Sequence, residues 1–362
     1  MKVVLAGGGT GGHVYPAIAM GEALRNRGHE VVYVGDPDRL EARVAPDKGF
    51  EFHGLKAPKY PRSGLIGKMR FAIALLAATL RARRILGRLQ ADLVLGVGGY
   101  IMAPTVLAAK TRGIPRVVHE ANVTPGMANR LCARYAQLVL LTYAATEKKL
   151  NTSAPFEVVG CPVNPKILTG NREEALKRYG LTPDQPVLTV VGGSLGAATL
   201  NAIALAASRQ TPREWQVLWI TGPRFHDEVL RDLGDIPKGV CVVGYEDRMQ
   251  DAYAASTLVA ARAGSSTLSE LTAIGKPALL IPSPNVTDNH QEANARGLEK
   301  EGAAWVLTES DLDIPLALRD IEKKLQDSAA LEQMASASKT QGRLDVAEQV
   351  AEILISRFSS AS

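Results

Sequence analysis

One pattern, occurring twice, constrains this chain more than any other. A short apolar strand runs straight into a glycine-rich turn, and the turn opens a helix. In the first half the string is Leu5-Ala6-Gly7-Gly8-Gly9-Thr10-Gly11-Gly12-His13; in the second it is Val190-Val191-Gly192-Gly193-Ser194-Leu195-Gly196-Ala197. Further apolar strands follow each turn, at 30–35, 92–95, 116–119 and 138–141 after 2–6, and at 216–221, 240–243, 258–260 and 277–281 after 186–191. Helical stretches separate them, among them 14–27, 66–89, 195–209, 267–274 and 289–299. Near-continuous apolar strands spaced by helices specify parallel sheets covered on both faces. The expected fold is therefore α/β, with two Rossmann-like parallel-sheet domains facing across a cleft. Two prolines in Gly160-Cys161-Pro162-Val163-Asn164-Pro165 stop helix and strand alike. They place the domains at 1–162 and 163–341, with an amphipathic helix in 342–362 that can pack back on the first domain.

Charge narrows the partners. The chain is +5 overall, yet 52–91 holds nine basic residues and no acidic one, which leaves the other residues at −4. Such a block attracts phosphates: nucleic acid, anionic lipid or a phosphorylated ligand. Only 5% of residues are aromatic and none interleave with the basic run in a stacking pattern, which speaks against nucleic acid. Three well-separated cysteines, Cys132, Cys161 and Cys241, imply neither a disulfide framework nor a zinc site and fit a reducing cytosol. The first apolar run is too short for a signal peptide and reads as a buried strand. The longest strongly apolar helical run, 71–80, is half of a membrane span and reads as the buried face of a core helix.

Gly7, Gly9 and Gly12 satisfy GxGxxG between a strand and a helix, and Asp36 closes the next strand. That pattern alone keeps an NAD(P)-dependent oxidoreductase open. Helix–strand packing explains one or two of these glycines but not five in six positions. His13 lies in the helix's first turn, where the dipole disfavours imidazolium; a neutral imidazole there suits a general base, and a packing histidine is the bland alternative. Gly96-Val97-Gly98-Gly99-Tyr100 and His119-Glu120-Ala121-Asn122 end two further strands, where open α/β sheets bind ligands. In the second half, the Ser194 loop can hold a diphosphate. Arg262-Ala263-Gly264-Ser265-Ser266-Thr267-Leu268-Ser269-Glu270 offers phosphate donors and a ribose acid, or else plain serine capping. Asp288, His290, Gln291 and Asn294 gather at one more helix start. The two DxD strings, 36–38 and 311–313, read as solvated turns, and no metal site is expected.

Five of these strings in order make the chain resemble the MurG family over nearly its whole length: Gly8-Gly9-Thr10-Gly11-Gly12-His13, the HExN at 119–122, Gly192-Gly193-Ser194-x-Gly196-Ala197, the block 262–270, and Asp288-x-His290-Gln291-x-x-Asn294-Ala295. These are GT-B-fold bacterial enzymes. The resemblance implies transfer of GlcNAc from UDP-GlcNAc, with inversion and no cofactor, to the C4 hydroxyl of MurNAc in undecaprenyl-pyrophosphoryl-MurNAc-pentapeptide (lipid I). The product is the lipid-linked disaccharide of peptidoglycan synthesis.

It also implies roles. Ser194 and the Ser265, Ser266, Thr267, Leu268 and Ser269 turn would hold the diphosphate and nucleotide, Glu270 the ribose, Gln291 the GlcNAc, and the backbone near Glu246 the uracil. Thr10, Gly11, Gly12 and Asn122 would close over the sugar. His13 is the base, and Tyr100 and the catalytic candidate Glu120 lie on the acceptor side. The chain departs from the family at Asn164, where Arg is usual, at Ala121 for Gln and at Ser265 for Ala. Within the same fold, a glycolipid glycosyltransferase or a UDP-GlcNAc epimerase is the nearest rival. A lipid-borne acceptor turns the basic block into a docking surface for an anionic membrane, since Leu65, Ile66, Met69, Phe71 and Ile73 lie among Lys59, Arg62, Lys68 and Arg70. The expected location is peripheral, on the cytoplasmic side of the cell membrane.

Overall fold

The computed structural model describes residues 1–61 and 64–359, so Arg62 of the basic block lies outside the described residues. The chain divides into two compact units. Unit 1 is Met1–Val163 together with the chain from Asp345 onward, and unit 2 is Asn164–Leu344.

Unit 1 contains strands β1 (Lys2–Gly7), β2 (Glu30–Gly35), β3 (Glu51–Gly54), β4 (Leu93–Gly98), β5 (Arg116–Glu120), β6 (Leu138–Leu141) and β7 (Phe156–Val158). Helices α1 (Gly11–Asn26), α2 (Glu41–Asp47), α3 (Leu65–Leu89), α4 (Met102–Thr111) and α5 (Met127–Ala133) connect them. The sheet is parallel throughout, in the order β3-β2-β1-β4-β5-β6-β7. Successive side chains of a strand point to opposite faces. Val3 and Leu5 therefore join Val14 and Ile18 of α1 on one face, while Val4 and Ala6 join Leu86 of α3 and Val106 of α4 on the other.

Unit 2 contains β8 (Val187–Val191), β9 (Gln216–Ile220), β10 (Val240–Val243), β11 (Leu258–Ala261), β12 (Ala278–Leu280) and β13 (Trp305–Val306). Its helices are α6 (Arg172–Tyr179), α7 (Ala198–Arg209), α8 (His226–Leu233), α9 (Met249–Ala255), α10 (Ser265–Ile274), α11 (His290–Lys300), α12 (Ile314–Gln326) and α13 (Ser328–Thr340). This sheet is also parallel, in the order β10-β9-β8-β11-β12-β13. The chain then returns to unit 1. There α14 (Val346–Phe358) lays Val350 and Leu354 against the α1 face, and Arg27–Glu348 (3.1 Å) and Arg357–Glu157 ion pairs tie it down.

Each sheet has one point where strand order reverses, between β1 and β4 in unit 1 and between β8 and β11 in unit 2. Loops leaving the carboxyl ends of such neighbours diverge and open a crevice, the place where open α/β sheets bind ligands. Both glycine turns of the repeated pattern sit at these points.

The reading of 71–80 as a buried core face does not hold. Among those ten residues only Ala78 and Thr79 are buried. The stripe Leu65, Ile66, Met69, Ile73, Leu76 and Leu80 is exposed, Leu65 at 81% and Ile73 at 67%. Helix α3 enters the core through Ala82, Leu86 and Leu89 in its second half, with partly buried Leu75 packed against the same cluster. Phe71 packs edge-on against Tyr60 at 5.1 Å. Among the described residues no helix is long and apolar enough to cross a membrane.

Candidate functional site

At the unit 1 switch point the two glycine turns form one structure. Gly8 N–H donates to Gly98 O (3.3 Å), and β1 and β4 pair up to Gly7 and Gly98. Thr10 is the N-cap of α1 in extended conformation, and its side chain caps nothing. Its carbonyl accepts from the N–H groups of His13 and Val14, both at 3.1 Å. The half-buried His13 imidazole lies directly against Gly98, where a Cβ would come within 2.5 Å of Nδ1 and where φ is +106°. Glycine is therefore required under the imidazole. Tyr100 follows on the same loop. Its hydroxyl donates to Asp36 Oδ2 at 2.6 Å, and Lys59 sits 5.4 Å from its ring. Burial, then the bond to Asp36, pushes the Tyr100 hydroxyl up to about 12.

The dinucleotide alternative fails at this loop. Glu41, wholly buried, puts its carboxylate where a pyrophosphate would lie: Gly9 N–H donates to Oε1 (3.2 Å) and Oε2 (3.1 Å). Asp36, the would-be ribose acid, is taken by Tyr100 Oη and by its own turn, where Asp38 N–H donates to Oδ1 at 3.0 Å. The DxD strings are structural too. Asp38 pairs with Lys56 (2.8 Å), and Asp313 caps α12 by accepting from Leu316 N (2.9 Å).

Glu120 ends β5 and is buried, and its carboxylate organises its own loop. Oε1 accepts from Asn122 N (2.9 Å) and Nδ2 (3.3 Å), and Oε2 from Gly126 N (3.2 Å). Burial pushes its carboxyl up to about 7, with the loop N–H groups opposing. Thr146 Oγ fixes the Asn122 carbonyl at 3.0 Å. Beside it, buried His119 uses Nε2 to donate to Gly160 O (2.8 Å); desolvation drives this imidazole down to about 4, so it stays neutral.

At the unit 2 switch point, Ser194 and Leu195 are exposed at the tip of the turn after β8. The N-cap positions of α7 and α10, Ala197 and Gly264, supply no side-chain cap, so serine capping does not explain the 262–270 block. Ser265 is buried, and Ser266 Oγ is buried with no hydrogen-bond partner among the described residues. Glu270 lies four residues on, hence on the same helix face. It is half-buried, takes a bond from Tyr253 Oη on Oε2 (2.9 Å), and accepts none from a described residue on Oε1. Burial raises its carboxyl to about 7, with the Tyr253 bond opposing.

Arg262 braces the site by donating to Ile281 O (3.0 Å) and to Glu309 Oε1 (2.5 Å), which Thr199 Oγ also reaches (2.6 Å). Asn294 holds Ala263 O (3.3 Å), and Gln291 Oε1 accepts from Ser283 N (2.9 Å). An open depression of about 560 Å³ lies here, lined by Pro282, Asn289, Glu292, Thr308 and Glu309 among others. Elsewhere, Glu246 is buried under Arg178 (3.1 Å) and Tyr179 Oη (2.7 Å) and accepts from Arg248 N (2.8 Å), which fixes its turn. Asn164 is exposed and caps the short turn Pro165–Thr169 through Lys166 N (3.0 Å). Sequence reasoning missed Glu41, Tyr253 and Glu309, none of which stands in a motif.

The geometry agrees with the comparisons. The Glycosyltransferase family 28 N-terminal domain profile matches residues 3–141, and the family's C-terminal domain profile matches 187–350. A Halothermothrix orenii protein is 39% identical over 355 residues, covering 95% of each chain. A Salinibacter ruber protein is 38% identical, covering 96% of this chain and 95% of its own. Both carry the name UDP-N-acetylglucosamine–N-acetylmuramyl-(pentapeptide) pyrophosphoryl-undecaprenol N-acetylglucosamine transferase. The crystal structure of Acinetobacter baumannii MurG superposes with a TM-score of 0.78 at 27% identity, over 98% of this chain and 99% of that one. With both domain profiles matched in order and full-length relatives above 30% identity, the chain belongs to the MurG family within glycosyltransferase family 28.

Proposed function

We propose that the protein transfers GlcNAc from UDP-GlcNAc to the C4 hydroxyl of MurNAc in lipid I, with inversion at the anomeric carbon. The observation that carries this reading is the first turn and a half of α10. An uncapped helix N-terminus with the unpartnered Ser266 hydroxyl suits a diphosphate, and Glu270 stands on the same face for a ribose.

In this reading unit 2 holds the donor. Ser194, the 265–269 turn and the α10 dipole stabilise the charge that builds on departing UDP. Glu270 Oε1 accepts from ribose hydroxyls, Gln291 meets the sugar, and the turn fixed by Glu246 offers backbone to uracil. Asn164, capping its own turn, supplies no cation, and Arg262, two residues before the α10 N-cap, offers a guanidinium braced by Ile281 O. In unit 1, His13 removes the acceptor hydroxyl's proton as the C–O bond forms. Thr10, Gly11, Gly12 and Asn122 position the sugar, Tyr100 contacts the acceptor, and Glu120 acts by shaping the loop that carries Asn122. The test is incubation with labelled UDP-GlcNAc and a short-chain lipid I analogue, without added metal. Disaccharide-lipid product supports the reading; release of UDP-ManNAc with no acceptor present would instead mark an epimerase.

The exposed stripe of α3 completes the account. Leu65, Ile66, Met69 and Ile73, with Lys68 and Arg70 alongside, suit peripheral docking on the cytoplasmic face of an anionic membrane. Each basic residue near such a surface contributes roughly 1 kcal/mol. In vesicle sedimentation, binding is expected to rise with phosphatidylglycerol content, fall with salt, and drop at least about tenfold in an Ile66→Glu/Ile73→Glu variant. Binding indifferent to lipid charge and to these substitutions would leave the stripe unassigned to a membrane.

A further inference from the structure

We infer that Glu41 is a built-in anion for the first glycine loop, a positioning residue that occupies the phosphate place and thereby holds the start of α1, with His13, for the reaction. It is the first residue of α2 and wholly buried. Its carboxylate spans the carboxyl ends of two neighbouring strands. Gly9 N–H beyond β1 donates to both oxygens (3.2 and 3.1 Å), and Asp36 N–H beyond β2 donates to Oε1 (3.1 Å). Two glycines make room for it. A Cβ at Gly8 would lie 1.9 Å from Oε1, and one at Gly35 would lie 2.5 Å from Cγ. The glycine fingerprint here is thus built around an internal carboxylate. The same features that let a backbone approach a phosphate let it close on a side chain.

Two consequences follow. The Gly9 amide is committed to Glu41, so it is not a donor to the diphosphate of donor or acceptor. And the route from Glu41 to the base is short. Glu41 fixes Gly9, the next residue is the N-cap Thr10, and the Thr10 carbonyl anchors the His13 amide. Removing the buried carboxylate takes the acceptor from the Gly9 and Asp36 amides, which lose a charge-assisted hydrogen bond.

The kinetic arm of the test rests on the proposed transfer, and the melting arm does not. In the full-length protein, Glu41→Gln keeps the size and one acceptor oxygen but turns an N–H donor toward Gly9. Its kcat is expected to fall about tenfold with the UDP-GlcNAc KM unchanged, the signature of misplaced catalytic geometry. Glu41→Ala leaves a carboxylate-sized hole. Sodium formate is expected to raise that variant's melting temperature and restore part of its kcat, while sodium chloride at equal ionic strength does neither and wild type ignores formate. A folded Glu41→Gln with wild-type kcat overturns the inference, as does a folded Glu41→Ala whose melting is indifferent to formate. If Glu41→Ala does not fold, the kcat and KM of Glu41→Gln decide. Wild-type protein that transfers nothing overturns the transferase reading, while formate-dependent melting of Glu41→Ala still decides the role of Glu41.

Discussion

Replacing His13 by alanine is expected to lower turnover by about 10²–10⁴, the range typical of a lost general base, while the UDP-GlcNAc KM stays within about twofold. The separation follows from placement. His13 belongs to the first turn of α1 in unit 1, seated on Gly98, whereas the proposed nucleotide contacts all lie in unit 2. The acceptor hydroxyl is a poor nucleophile until its proton leaves, so the loss falls on the chemical step. Steady-state kinetics with both substrates varied gives the answer, and turnover within a few-fold of wild type would place the base elsewhere. Glutamine at position 13 can hydrogen-bond but cannot take the proton, so it should be nearly as slow as alanine.

The second large effect is expected at Glu270. Glu270→Gln should raise the donor KM about 10- to 100-fold, since hydrogen bonds to a charged group are worth about 1.5–3 kcal/mol, with a smaller change in kcat. Protonation makes the same change chemically. Burial has raised this carboxyl to about 7, so the ionised form dominates above that pH and the protonated form below it. In the proposed role ribose hydroxyls donate to the carboxylate, so donor binding should favour the ionised form. The donor KM should accordingly rise as pH falls from 8 to 6, and Glu270→Gln should flatten that profile. A wild-type KM independent of pH, or a variant KM that matches wild type, would remove Glu270 from the donor site.

Much of this was legible in the sequence because parallel strands buried on both faces announce themselves. β1, β2 and β9 are apolar runs behind a single polar first residue, β8 is interrupted only by Thr189, and their bounds fall within a residue or so of the pattern. The sequence reading did not find β3, β7 and β13. β3 and β7 are short edge strands with polar members, Glu51, His53 and Glu157, while β13 has only two residues, Trp305 and Val306. None offers a periodicity to read.

Helix α3 misled for a related reason. Ile66, Met69, Ile73, Leu76 and Leu80 recur at helical spacing, and that stripe looks the same in sequence whether it meets a core or nothing.

At the sites, motif residues were legible and their partners were not. Ser266 and Glu270 stand in one string, but Tyr253, which holds Glu270, comes from α9, and Glu309, which holds Arg262, comes from a loop beyond β13. The topology brings these pairs together. GxGxxG with Asp36 pointed toward a dinucleotide because sequence shows the glycines' freedom and not what fills the space; Glu41 fills it.

The central claim is inverting GlcNAc transfer at these residues, and proton NMR of the transfer reaction tests it most directly. Purified protein, UDP-GlcNAc and a lipid I analogue should yield a disaccharide whose new linkage to C4 of MurNAc is β, formed from an α-linked donor, with UDP released in equal amount. An α-linked product, a linkage elsewhere, or UDP-GlcNAc left unconsumed in the presence of the acceptor would contradict it.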